Sequence, residues 1–185
     1  LKYKKMIKFV YQNVPKGTGD AVLKTKRFIT DKYFLMLLPD DLIIKKNCSK
    51  SMINVHQKYK SSVMASMQVN KSTVSRWGIY NLTKRLSKSD YLISDVVEKP
   101  SIKDAPSNKA VIGRYILPKT IFKKLKNQNS GNGGEIHITD AIQSLIKDNE
   151  NFIAHNFSGK YLDCGTMNGY INSGKKISNL WNYAW

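Results

Sequence analysis

The run Phe34-Leu35-Met36-Leu37-Leu38, followed at once by Pro39, Asp40 and Asp41, constrains this chain more than any other stretch. It is wholly apolar, as a strand covered on both faces of a parallel sheet requires. Upstream, MIKFVYQ (residues 6–12) has strand character, and NVPKGTGD is a turn-rich loop containing Gly17 and Gly19. Asp20 stands where a helix N-cap belongs, ahead of AVLKTKRFI. Strand, glycine loop, helix and apolar strand together predict a β-α-β unit in an α/β chain.

The rest of the chain extends that reading. Residues 49–59 read as a helix with Met52, Val55 and Tyr59 on one side, and residues 63–69 alternate like a strand. YLISDVVE does so less cleanly, and AVIGRYIL (residues 110–117) is a further strand. Pro118 suits the first turn of a helix carrying Ile121, Phe122 and Leu125. NSGNGGE is a loop, and Thr139 is placed to cap a helix whose Ile142, Leu145 and Ile146 face inward. From Gly169 a final helix runs toward Trp181, Tyr183 and Trp185. With no repeat, low-complexity segment or linker, residues 1–185 read as a single domain.

Charge narrows the partners. The formal net charge is +18, from 31 basic and 13 acidic residues, but arginine occurs only at positions 27, 76, 85 and 114. The lysines are scattered, and the excess of Asn, Ile and Tyr is what an AT-rich genome produces without selection. We therefore expect no nucleic-acid partner, only a general pull on anions such as nucleotides. No stretch approaches the roughly 20 apolar residues of a membrane span, and no signal-peptide core opens the sequence. Two cysteines make no disulfide framework, which favours a cytoplasmic home. The three histidines (His56, His137, His155) lie at no metal-site spacing from a cysteine.

In open α/β sheets ligands bind beyond the carboxyl ends of the strands, and Asp40 lies at such an end. A carboxylate there can hold Mg²⁺, which takes one or two protein carboxylates when phosphates supply the rest; alternatively Asp40 and Asp41 simply form a turn. Gln12 ends a strand, where its amide can pair with a nucleobase edge. Gly17 and Gly19 let backbone N–H groups approach a base or phosphate, or serve only the turn. Glu98 can accept sugar hydroxyls while Lys99 meets a phosphate, or the two form an exposed ion pair before Pro100. Gly78 in WGIY permits close backbone approach to a ligand. Asp163 in YLDCG sits at another apolar-to-turn junction, as a second candidate metal ligand.

Seven stretches in order carry a resemblance: FVYQNVPKGTGDAVL, LLPDDLI, SRWGIY, VVEKP, APSNKAVIGRYIL, GGEIHITDAI and YLDCG. From Lys8 to about Tyr183 the chain resembles the bacterial type of UTP–glucose-1-phosphate uridylyltransferase. The resemblance implies a doubly wound, Rossmann-like nucleotidyltransferase fold. It also implies transfer of UMP from UTP to glucose 1-phosphate, giving UDP-glucose and pyrophosphate. Carried over by position, Gln12 and the Gly17 backbone would bind uracil, and Asp40 and Asp163 would hold Mg²⁺. Gly78 would lie against the sugar nucleotide, Glu98 would hold glucose hydroxyls, and Lys99 would contact the glucose phosphate; Gly113 and Glu135 match positions near the sugar. Asp40 and Lys99 are the implied catalytic residues. Trp77 replaces the family's usual tyrosine, and Asp20 replaces a frequent histidine and takes no role.

The family begins with a G-x-G-T-R loop and a P-K-E-M-L-P segment that grip the triphosphate, and neither stretch occurs in these 185 residues. The resemblance thus implies an N-terminally truncated fold, the C-terminal two-thirds of the enzyme, active only when the N-terminal part is supplied. The alternatives are a non-catalytic remnant or sugar-nucleotide-binding module, and a related sugar-1-phosphate thymidylyltransferase. Relatives self-associate, so a homo-oligomer using the aromatic tail is also implied.

Overall fold

The computed structural model describes residues 6–129, 131 and 134–180. The chain forms two compact units, Leu1–Phe34 with Pro118–Glu150, and Leu35–Leu117 with Asn151–Trp185.

The first unit is helical. It contains α1 (Thr18–Lys24), α3 (Ile121–Asn127) and α4 (Ile138–Lys147), the last two giving Ile121, Phe122, Leu125, Ile142 and Leu145 to its core. The Phe34 ring stacks on Phe122 at 5.3 Å between centroids. Four local expectations fail here. Residues 6–12 form no strand, and Met6, Phe9 and Tyr11 are largely exposed, because strand-forming residues alone supply no ladder. Gly17, at φ 92°, is the N-cap of α1, while Asp20 lies inside its first turn. His137, not Thr139, occupies the N-cap of α4, and Thr139 is buried within the helix. Ile146 is only half-buried, unlike its neighbours Ile142 and Leu145.

The second unit is built on a six-stranded sheet in the order β1-β6-β3-β7-β5-β4. The strands are β1 (Tyr33–Leu37), β3 (Ser62–Gln68), β4 (Gly78–Arg85), β5 (Asp90–Glu98), β6 (Lys109–Pro118) and β7 (Phe152–Asn156). The apolar run is indeed a strand, but it lies at the sheet edge with Leu35 37% and Leu37 50% exposed. Full burial falls instead on β3, β6 and β7, which have neighbours on both sides. The sheet is also mixed: β3–β7 is parallel, whereas β3–β6, β5–β7 and β4–β5 are antiparallel. Pro118 ends β6, where no ladder N–H is required, and Thr120 caps α3.

Helix α2 (Cys48–Tyr59) packs beside β3. Asn47 caps it by accepting from the Lys50 N–H at 2.9 Å, and Lys60 at φ 54° ends it. Apart from the main sheet, β2 (Asp41–Ile44) and β8 (Lys160–Asp163) form an antiparallel ribbon, followed by α5 (Met167–Leu180). Trp181, Tyr183 and Trp185 fall outside the described residues. No helix among the described residues is long and apolar enough to cross a membrane.

Candidate functional site

The β2–β8 ribbon brings together what the sequence separates by more than a hundred residues. Its register sets Asp41 opposite Asp163, and the Cys164 N–H donates to the Asp40 carbonyl at 2.8 Å. Asp40 Oδ2 and Asp163 Oδ1 lie 2.8 and 3.6 Å from the point that a Cβ on Gly165 would occupy. A side chain there would fill the space between the two carboxylates. Asp163 is held from behind: Oδ1 accepts from the Gly165 N–H at 2.9 Å and Oδ2 from the Thr166 hydroxyl at 2.9 Å.

Asp41 does something other than close a turn. Its Oδ2 accepts from the Gly113 N–H at 2.6 Å and its Oδ1 from the Tyr161 hydroxyl at 2.5 Å. A Cβ on Gly113 would stand 2.5 Å from both Asp41 Oδ2 and Leu38 Cβ, so only glycine admits this approach. Arg114 completes the grip. Its Nη1 donates to the carbonyls of Leu38, at 2.7 Å, and Gly113, at 2.8 Å, and its Nη2 to the carbonyl of Asp41. Residues 38 to 41 are therefore fastened to β6 on both sides of Asp40.

The sugar-end candidates meet on the neighbouring strands. Gly78 pairs with Glu98 in the β4–β5 ladder, and a Cβ on Gly78 would come within 3.1 Å of Glu98 Oε2. The next residue, Lys99, sits at φ 45°, uncommon for a non-glycine residue, with its N–H donating to the Trp77 carbonyl at 3.0 Å. The Trp77 ring in turn meets the Tyr161 ring edge-on at 5.8 Å.

Two tyrosines report the field of this region. Burial pushes the Tyr115 hydroxyl above its ordinary value, and the charges of Asp41, Glu98 and Asp40 push the same way. Tyr161 is raised by burial first, then by its bond to Asp41 and by the charges of Asp41, Asp163 and Asp40. Four of the 13 acidic residues of a strongly basic chain thus share one neighbourhood. That donor set suits a hard cation. No group of three or more His, Cys, Asp or Glu side chains able to cage a metal occurs among the described residues. A pair of carboxylates is instead what Mg²⁺ uses when phosphate oxygens and water complete its shell.

The remaining candidates, Gln12, Gly17 and Glu135, lie together in the helical unit. Gln12 Nε2 donates to the Gly17 carbonyl at 3.2 Å and to Asp20 Oδ2 at 2.7 Å, which leaves its Oε1 for a ligand donor. A Cβ on Gly17 would meet Glu135 Cβ at 2.9 Å and the Ile136 carbonyl at 2.8 Å. Asp20, given no role from the sequence, fixes the orientation of Gln12. The bond from Gln12 holds its carboxyl below the usual 3.8 against the opposing effect of burial, and Lys24, 3.4 Å away, helps.

A folded-state value below the unfolded one means that Asp20 stabilises the protein above about pH 4, and that this contribution disappears as pH falls through the lowered value. Asp20→Ala should accordingly cost about 1–3 kcal/mol at pH 7, as loss of a charge-assisted hydrogen bond does. Urea melts of both proteins at pH 7 and pH 3 check this: the gap should narrow in acid, and a pH-independent gap would contradict it.

A nucleotidyl transferase family model matches residues 2–179, and the chain belongs to that family. Within it, the chain is similar to UTP–glucose-1-phosphate uridylyltransferase of Pseudomonas aeruginosa, at 38% identity over 89% of this chain and 60% of the relative. It is likewise 37% identical to UTP–glucose-1-phosphate uridylyltransferase 2 of Streptococcus pyogenes, over 89% of this chain and 56% of the relative. Among solved structures it resembles UDP-glucose pyrophosphorylase complexed with UDP-glucose, with TM-score 0.88 and 38% identity. That match covers 94% of this chain and 66% of the other. The chain spans about 60% or less of the length of these curated relatives.

Proposed function

We propose that this chain carries the uracil, sugar and cation portion of a UTP–glucose-1-phosphate uridylyltransferase. The observation that supports it most is the approach of Asp40 and Asp163 to one point, near enough to Tyr161 for the charges of both to reach its hydroxyl. In this reaction a phosphate oxygen of glucose 1-phosphate attacks the α-phosphorus of UTP. The bond from that phosphorus to the bridging oxygen breaks, and pyrophosphate leaves. Such chemistry asks the protein mainly for positioning and charge neutralisation.

Each residue then has a task. Gln12, oriented by Asp20, presents its amide oxygen to the uracil edge, and the Gly17 backbone lies against the base. Glu98 accepts glucose hydroxyls, with Gly78 and Gly113 leaving room for close approach. Glu135 adds a carboxylate beside Gly17. Lys99 sets its ammonium against the glucose phosphate. Asp40 and Asp163 are the ligands of Mg²⁺, which when bound would neutralise phosphate charge. The part assigned to these 185 residues is therefore the binding of the sugar nucleotide. Free Cys48 and Cys164 suit a reducing compartment such as the cytoplasm.

Calorimetric titration with UDP-glucose tests the binding part. We expect saturable heat, weakened about tenfold by Glu98→Gln, as the loss of one charged hydrogen bond implies. No saturable binding, or equal binding by the variant, would contradict the assignment.

A further inference from the structure

We propose that Asp41 and Tyr161 are positioning residues: their hydrogen bond sets the spacing of Asp40 and Asp163 and so readies the pair for a divalent cation. The inference rests on the reading of Asp40 and Asp163 as cation ligands. The two carboxylates belong to chain segments joined by the short β2–β8 ribbon and by the bond from the Cys164 N–H to the Asp40 carbonyl. In an antiparallel pair, Tyr161 is the diagonal neighbour of Asp41, two residues along from Asp163 and on the same face. The bond from the Tyr161 hydroxyl to Asp41 Oδ1 closes that diagonal. Asp41 Oδ2 passes the constraint to the Gly113 N–H in β6, and Arg114 fastens the carbonyls of residues 38 and 41 on either side of Asp40.

Asp41 thereby commits one bond from each oxygen to the frame of the site, to Tyr161 across the ribbon and to Gly113 in β6, which is the arrangement of a brace. Without the hydroxyl, the ribbon keeps its backbone pairing but loses the side-chain brace across its diagonal. Two like-charged carboxylates would then relax apart in the absence of a cation, and binding would have to restore their spacing. Partners of metal ligands that act in this way typically change metal affinity by about 10–100-fold when removed.

The test uses the full 185-residue chain and Mn²⁺ alone as the probe, followed by electron paramagnetic resonance of the free ion. The unaltered chain should bind Mn²⁺, and Asp40→Asn should abolish it. Tyr161→Phe, which keeps the ring against Trp77, should weaken binding at least tenfold. Tyr80→Phe is the control, since it removes a comparable buried hydroxyl bond, to the Ala65 carbonyl at 2.8 Å. It should lower Tm without changing Mn²⁺ affinity. If Asp40→Asn abolishes binding while Tyr161→Phe binds like the unaltered chain, the positioning role is overturned and the cation pair stands. If Tyr80→Phe weakens binding as much as Tyr161→Phe, the effect is general loosening and the positioning role is again overturned. If the unaltered chain binds no Mn²⁺, or Asp40→Asn makes no difference, the cation pair itself fails and takes this inference with it.

Discussion

Asp40→Asn is expected to lower the rate of pyrophosphate formation by about 10²–10³ in a protein completed with a triphosphate-gripping segment. That is the usual loss when one group stabilising transition-state charge is removed. The exchange keeps the side-chain volume and removes only the charge that faces the Gly165 gap. UDP-glucose affinity should stay within a few-fold, because the contacts proposed for Gln12 and Glu98, to the base and the sugar, are the same in ground and transition state. The signature is therefore a fall in kcat with little change in KM. Equal rates for the variant and the unaltered protein would remove Asp40 from the chemistry.

Phe152→Ala should destabilise the sheet unit by about 3–5 kcal/mol, the range for deleting a buried aromatic ring. Phe152 is fully buried at the start of β7, opposite Ser62 of β3 on one side and Ile93 of β5 on the other. The cavity left there lies on a face of the sheet, and the β7 backbone, held in ladders on both sides, cannot move out to fill it. Since domains are typically stable by only about 5–15 kcal/mol, much of the margin would go. Urea unfolding measures it, and a loss below about 1 kcal/mol would show that the sheet centre is packed differently. Because β5 ends at Glu98, the variant should also weaken UDP-glucose binding before it unfolds.

The helices and the strands β1, β3, β5 and β6 were legible in the sequence, but β2, β4, β7 and β8 were not read as strands, and the place of each strand in the sheet was not visible. Phe34–Leu38 reads as a strand from its composition alone, yet composition cannot tell an edge from a centre, because that depends on which strands come to lie beside it. Burial on both faces belongs instead to β3, β6 and β7, and β7 passed unnoticed between a helix and a turn. Residues 6–12 show the converse, an apolar stretch of strand character that forms no strand. The helix caps at Asp20 and Thr139 were misplaced by one turn or less, since several residue types near a helix start satisfy the same rule.

The candidate site divides along similar lines. Asp40 and Asp163 were each recognisable at a strand end, but their meeting depends on the β2–β8 register. Asp41 looked like turn chemistry because Pro-Asp-Asp is a common turn sequence, and its two acceptors are filled by residues 72 and 120 positions away. Tyr161 carried a usable signal: in Tyr161-Leu162-Asp163 the alternation puts the phenol and the carboxylate on one face. Arg114 carried none, because its three acceptors are backbone carbonyls that no side-chain pattern reveals. Asp20 could have been noticed as an acidic residue beside a glutamine-and-glycine loop, the neighbourhood that gives Gln12 its orientation.

The most direct test of the account is pyrophosphate release from UTP and glucose 1-phosphate in the presence of Mg²⁺. The 185-residue chain should be assayed alone and joined to an N-terminal segment bearing the G-x-G-T-R loop of a relative. Alone, the chain should release pyrophosphate at the uncatalysed rate while still binding UDP-glucose; the joined protein should turn over. Sustained turnover by the chain alone would contradict the division of labour proposed for it. A joined protein that folds and binds UDP-glucose, yet forms none from UTP and glucose 1-phosphate, would contradict its part in uridylyl transfer.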